Sequence, residues 1–582
     1  MTGIFNTMMG FLTYKPNDKR DFELLEGKYE GVERTNIPEA ADIKTDSQAY
    51  EDIKTKEDTK KHQKSTKTPL SIDEWNKQKN EESTSFVQTE EGKVSFDLNS
   101  NMEFIKQEFG IPYNTDIMIR QFKAAQKFSA FIVYIDGMVD KNYISNFLIR
   151  PLMDSHNFHG YLENDTNSDI LDYIEQNVIS AHEIASANDW KTINYNILSG
   201  NTALFVENSQ KCLVMSTRGY EKRSVGKPIT ENVVMGSQEA FTENLRTNLS
   251  LVRKIIKNKN LITEMIKVGN TNQAHVGIMY LNGIVNQEVV KEVKRRINDI
   301  DAAFVMGDGM VEQFIEENPF MILPQGLTTE RPDRVASFIT EGKVAIISEG
   351  VPFALVVPIT FFHMLQTSED SMLRWQYGTF LRFIRIFGLL VATFLPAMYV
   401  ALTLFHQEMV PTELLASIAK SKEEVPFPTV AEILLLEISF ELIREGGIRI
   451  PGVIGQTLGI IGALILGQAA VAAGLVSPIL IIIVAVTGLG SFAIPNYSFG
   501  IGLRIIRFLF IFFASILGFY GISLGLFLLS CILCSMKSFG VPYFSPVAPK
   551  SRSNPDLIIR HPIRKQNERP DYLNVPNRKK AR

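Results

Sequence analysis

Glu437, Glu441 and Glu445 recur every four residues along an otherwise apolar stretch, "AEILLLEISFELIREGG" at 431–447. On a helix this spacing stacks the three carboxylates on one face. A row of carboxylates in apolar surroundings attracts cations at the mouth of a pore or along it. The plainer alternatives are a helix whose wet face points outward, or one that pairs with Arg444 and Arg449. Gln456 and Gln468 lie in the next apolar run, about 120° apart around a helix axis. A primary amide in hydrocarbon wants a partner, which a second helix or a pore can supply. Glycines recur at Gly452, Gly455, Gly459, Gly462 and Gly467, and again at Gly518, Gly521 and Gly525. Gly455–Gly459 and Gly521–Gly525 are GxxxG pairs, which let helix backbones approach closely. That closeness serves packing within one bundle, contact between subunits, or a helix thinned for a pore. Gln456, Gln468, Glu437 and Glu441 are thus the candidate permeation path, and Gly455, Gly459, Gly462, Gly521 and Gly525 the candidate helix-packing residues.

Catalytic patterns are poor. "GYEKRSVGKP" resembles a phosphate loop, but Gly219 and Gly226 stand too far apart and Pro228 follows Lys227, so the Walker pattern fails. No G-x-S-x-G, H-E-x-x-H or kinase set occurs. Cys531 and Cys534 form a CxxC inside an apolar run without further ligands, which fits apolar packing better than metal. The three cysteines are too few for a disulfide scaffold. No catalytic, cofactor or metal site is expected, and a formal charge of −4 without a basic folded face argues against nucleic acid.

The elements that would position these residues fall into opposite halves, which a mean hydropathy of +0.02 conceals. Residues 1–99 read as a polar, disordered arm, with order beginning near Met102. The start lacks the features of a signal peptide, so the long N-terminal half is expected to stay cytoplasmic. Residues 100–230 and 231–350 read as two related α/β subdomains. "FSAFIVYIDG" (128–137) and "HVGIMYLNG" (275–283) are strand-to-turn runs, and "YIDGMVDKNYI" aligns without a gap on "YLNGIVNQEVV". Each copy then places Asp140 or Asn286 where a helix N-cap is wanted. "TALFVENSQKCLVMST" is a hairpin candidate. Residues 241–266 read as one amphipathic helix with Phe241, Leu245, Leu249, Val252 and Ile256 inward. Arg246, Arg253, Lys254 and Lys257 would form its solvated face or, alternatively, a subunit or lipid contact.

Residues 351–545 read as an all-α membrane domain with about four spans, near 383–405, 452–473, 478–494 and 508–534. Segments near 351–365 and 431–446 are expected to be interfacial or re-entrant, the latter at the surface or in a protein-lined position. Arg374, Arg382 and Arg385 precede the first span, and 546–582 is a basic tail. The positive-inside rule then puts both termini in the cytoplasm, with Arg504 and Arg507 awkwardly placed at the outer start of the last span.

Four stretches resemble the GerA family of spore germination proteins, specifically the A-type subunit of nutrient germinant receptors. They are "GSQEAFTENLRTNLSLVRKIIKNKNL" (236–261), "PQGLTTERPDRVASFITEGKVAIISEGVPFALVVP" (324–358), a long run at 401–451, and "GIIGALILGQAAVAAGLVSPILIIIVA" (459–485). Ser237 and Lys254 depart from the family pattern, which has proline and arginine there. The resemblance implies a multi-pass protein of the inner spore membrane that responds to nutrients with a transporter-like B-type subunit and a C-type lipoprotein. It further implies self-association into a ring that conducts cations. The alternatives are a non-conducting scaffold for a germinant-binding partner and an A-type paralogue acting in dipicolinic-acid release. A secondary transporter would show more spans and inverted repeats.

Overall fold

The computed structural model describes residues 92–163, 169–219, 226–449, 467–550 and 556–580. Most of the predicted arm and most of the predicted span at 452–473 lie outside them. The end of the arm is folded: Val94 is buried, and Asp97 caps helix α1 (Leu98–Glu108) by accepting from the backbone N–H groups of Asn99 and Ser100. An N-cap and one buried valine thus start order ahead of Met102.

An α/β region of two sheets comes first. Strands β1 (Ile117–Ala124), β2 (Phe128–Ile135), β3 (Ile184–Ala187), β4 (Thr202–Val206) and β5 (Cys212–Met215) form an antiparallel sheet ordered β1-β2-β4-β5-β3. Strands β6 (Leu261–Val268), β7 (Ala274–Leu281), β8 (Leu327–Thr329), β9 (Val344–Ser348) and β10 (Ala354–Val357) repeat that order as β6-β7-β9-β10-β8. The short match at 134–144 and 280–290 therefore marks the repeat of a whole sheet. The turns after β2 and β7 use Gly137 and Gly283 at φ 87° and 80°, where a side chain would be strained. Asp140 accepts from the N–H groups of Asn142 and Tyr143, and Asn286 from that of Glu288. Helices cover both faces: α1 and α2 (Trp190–Leu198) on one face of the first sheet with short helical turns between 141 and 178 on the other, and α3 (Leu245–Ile255), α4 (Gln287–Asn298), α5 (Gly307–Ile315) and α6 (Pro332–Glu341) in the second unit.

Three expectations are corrected here. The helix predicted over 241–266 stops at Ile255, and Leu261 onward is β6, paired along its length with β7. A polar "KNKN" turn breaks the helical period, and pairing across the sheet overrides what remains of it. Arg253 belongs to no solvated face: it is fully buried and joins the two units. Its Nε lies 2.6 Å from Asp116 Oδ2, and its Nη2 donates to Asn114, Thr263 and the Leu261 carbonyl. The stretch 351–365 is not interfacial, since Ala354–Val357 is strand β10, sandwiched between β9 and β8 and buried throughout. A strand covered on both faces reads as a continuous apolar run, as a membrane segment does.

The basic tail is likewise folded onto this region. Arg560 donates to the carbonyls of Ser371 and Leu373, Arg569 to those of Thr340 and Asn577, and Lys580 pairs with Glu341 at 3.0 Å. Tyr572 reaches His363 beside a fully buried lysine, Lys343. The Thr360 N–H donates to His363 Nδ1 at 3.0 Å, so the neutral ring carries its proton on Nε2. That nitrogen is 2.7 Å from Lys343 Nζ, and the lysine must accept as a neutral amine. Burial accordingly pulls Lys343 down to about 7 and His363 well below its ordinary value.

A lysine depressed in the fold costs stability while the unfolded chain holds the proton and the fold does not, so wild-type stability climbs by about 1.4 kcal/mol per pH unit from pH 7 toward 10.5 through this group. Lys343→Met removes that slope. Denaturation at pH 6.5 and 9 is expected to show the variant's stability relative to wild type falling as pH rises.

Candidate functional site

The helical region follows, with α7 (Trp375–Leu404), α8 (Thr412–Lys422), α9 (Thr429–Arg449), α10 (Pro478–Phe492), α11 (Tyr497–Leu517) and α12 (Phe519–Ser535). Helices α7 and α11 are long and apolar enough to cross a membrane, while α10 and α12 are shorter apolar helices. The predicted spans at 383–405 and 478–494 fall on α7 and α10. The one predicted at 508–534 is instead the two arms of a hairpin, because the chain reverses at Gly518 (φ 58°, ψ −134°). A Cβ there would lie 2.9 Å from both Phe405 and His406.

This hairpin fixes direction. The start of α11 touches the α/β region, where a Cβ on Gly502 would meet the Ile322 carbonyl at 2.9 Å. Its end meets the end of α7, and α12 returns so that Ser538 donates to the Gln325 carbonyl at 2.7 Å. The first turns of α7 are pinned at the same end. Asp370, 1 % exposed, receives Arg382 Nε at 3.0 Å and Arg385 Nη1 at 2.8 Å. Arg382 also pairs with Asp556 of the tail at 2.6 Å.

Where α9 meets α11 lies a cluster of charges. Glu437 and Glu441 share a face of α9, and Arg504 and Arg507 share a face of α11. Arg507 Nη2 is 3.0 Å from Glu437 Oε2 and 3.1 Å from Glu441 Oε1. Arg504 Nη1 is 2.7 Å from Glu441 Oε2, and Arg444 Nη1 is 3.4 Å from Glu441 Oε1. Arg444 also donates to Ser491 Oγ of α10 at 2.9 Å. The side chains of Glu437 and Arg507 are fully buried, whereas Glu441 keeps 28 % of its surface. Chemically the named groups are two carboxylates facing three guanidinium groups, with Glu441 the more accessible carboxylate.

The predicted site residues scatter around it. Glu437 and Glu441 belong to the cluster, so they are ion-paired carboxylates, and Arg504 and Arg507 are the partners that sequence reasoning had left without a place. Gln468 is exposed on the surface of its helix. Gln456, Gly455, Gly459 and Gly462 lie outside the described residues. Gly525 and Gly521 sit in the α11–α12 contact: a Cβ on Gly525 would stand 2.8 Å from the Phe510 ring, and one on Gly521 would strike the Phe513 carbonyl. Gly388 and Gly490 were missed. They let α7 and α10 touch, a Cβ on Gly490 lying 2.7 Å from the Gly388 carbonyl. One small residue on each of two helices far apart in sequence leaves no local motif. Among the described residues no group of His, Cys, Asp or Glu is arranged to hold a metal ion.

A two-sheet α/β region joined at a buried carboxylate to an apolar helical layer that holds an ionic cluster between two of its helices is the architecture these residues define. By the match of its residues 103–572 to the Bacillus/Clostridium GerA spore germination protein, the chain belongs to that family. It is 39 % identical over 483 residues to "Spore germination protein KA" of Bacillus subtilis (strain 168), covering 82 % of this chain and 87 % of that one. It is 37 % identical over 474 residues to "Spore germination protein GerLA" of Bacillus cereus, covering 81 % and 94 %. The "Uncharacterized membrane protein YfkQ" of Bacillus subtilis (strain 168) is 39 % identical over 468 residues, covering 80 % and 90 %. Among solved structures, the N-terminal domain of the A subunit of the Bacillus megaterium spore germinant receptor GerK3 is 32 % identical. It covers 46 % of this chain and 97 % of its own, with a TM-score of 0.36.

Removing one partner of a buried ion pair strands the other charge and costs about 3–5 kcal/mol, whereas an apolar pair in its place is near neutral. Arg507→Met is therefore expected to lower thermal stability in detergent sharply. Adding Glu437→Met should recover most of that loss.

Proposed function

We propose that the chain is the membrane subunit of a spore germinant receptor, which self-associates into a nutrient-gated cation channel whose opening triggers germination. The carrying observation is Glu441, a partly exposed carboxylate within an apolar helical layer, paired with guanidinium groups of another helix. A peg that only anchored the α/β region would need no charge there, since each ionised group costs several kcal/mol to take out of water. A path for cations needs a carboxylate that water can reach.

Multi-pass insertion is supported by the apolar helices and by the return of α12 to the level from which α7 departs. The α/β region and the tail, touching each other, then occupy one side, which the positive-inside rule makes the cytoplasm of the inner spore membrane. The germination names of the relatives support a receptor working with a transporter-like B-type subunit that takes the nutrient and a C-type lipoprotein. Binding on the partner would shift a closed-to-open equilibrium, with the Gly388–Gly490 and Gly525 contacts repacking between discrete arrangements.

Potassium-loaded liposomes holding the chain with its B- and C-type partners are expected to leak potassium when amino acids, sugars and nucleosides are added. Glu441→Gln should cut that flux several-fold while the complex stays assembled. A complete complex that stays silent would make the subunit a scaffold.

A further inference from the structure

The two α/β units repeat in detail, and the repeat exposes one substitution. Helix α2 begins at Trp190 and α6 at Pro332, each after a two-residue connection from the preceding strand. Each helix ends at a left-handed glycine, Gly200 (φ 88°) and Gly342 (φ 102°). Each glycine faces the carbonyl of the turn residue after the second strand of its unit: a Cβ would lie 3.3 Å from the Met138 carbonyl oxygen in the first and 3.5 Å from that of Ile284 in the second.

In the first unit a third segment closes this corner. The chain runs straight on from β5, so that Val139 bridges Arg218, Asp140 N–H donates to the Thr217 carbonyl at 2.9 Å and Gly219 N–H to that of Met138 at 3.2 Å. Arg218 Cγ lies 3.6 Å from the Cβ position of Gly200. In the second unit the chain cannot do this, for β10 ends at Val357 and Pro358 leads away toward the helical layer. There Ile359 N–H meets Ser538 and Phe361 packs on Phe499. The vacated corner is filled from the far end of the chain. Val575 Cγ1 stands 2.6 Å from the Cβ position of Gly342, and Asn286, counterpart of Asp140, donates to the Asn574 carbonyl at 3.2 Å. Leu573 and Val575 are 2 % exposed and form a small core with Val541, just beyond α12.

We infer that the corner formed by Gly342, Ile284 and Asn286 is a peptide-docking site. Its occupant is the chain's own segment Tyr572–Val575, standing where Thr217–Gly219 stand in the first unit. Because the segment arrives after α12, its docking ties the end of the helical layer to the second sheet. It is held there by side chains and a few hydrogen bonds and is not continuous with a strand of that sheet, so it can exchange with a free peptide of the same sequence.

A fluorescent peptide of residues 567–580 tests this on the full-length chain. Leu573→Asp with Val575→Asp should empty the site, so the peptide should bind that variant saturably and at least tenfold more tightly than wild type. A peptide carrying Val575→Asp should not bind. Should the doubly charged variant not fold, Val575→Ala takes its place and is expected to bind the peptide more tightly than wild type does. Equal binding to wild type and variant, or binding to neither, would overturn the assignment.

Discussion

Asp370 is almost wholly out of contact with water, and the guanidinium groups of Arg382 and Arg385 face it from the opening turns of a thirty-residue apolar helix. A carboxylate in that position is tolerable only while both cations stay, since an unpaired buried charge is among the costliest defects a fold can carry. The requirement fixes where α7 leaves the second sheet, and Asp556 draws the tail into the same knot. Everything in the helical layer is positioned from there. The α10 helix lies on α7 through two glycines, the α11–α12 hairpin closes against the end of α7, and α9 is held to α11 by charge.

Matched ionic groups recur at each joint of the molecule. Arg253 with Asp116 welds the two α/β units, Asp370 welds the second unit to the helices, and Arg507 with Glu437 welds two helices to each other. Each pair trades solvation for a contact that tolerates little displacement, which makes the joints specific more than strong. Such a chain of rigid joints suits a protein in which an event at one end must be felt at the other.

Local chemistry was legible in the sequence wherever neighbours in the chain decide the structure. The runs at 128–137 and 275–283 became β2 and β7, the NSQK hairpin became β4–β5, and the caps at Asp140 and Asn286 stand where a polar side chain before a helix predicts them. What could not be read depends on partners far away. Arg253 looks like any basic residue on a helix until Asp116 arrives from another unit, and Arg504 and Arg507 look misplaced until Glu437 and Glu441 face them. Strand β10 and a membrane segment share one composition, and only its neighbours β9 and β8 tell them apart. The tail reads only as a basic segment, because its apolar anchors Leu573 and Val575 are few and widely flanked by charge.

The central claim is that the helical layer crosses lipid with the α/β region and the tail at one end and the turn after α7 at the other. Single cysteines at Tyr195, Ile563 and Met409, all well exposed, can be labelled with a membrane-impermeant maleimide in oriented vesicles after the native cysteines are replaced by serine. Positions 195 and 563 should react from the same face and position 409 only from the opposite one. Reaction of 195 and 563 from opposite faces, or of all three from one, would contradict the account.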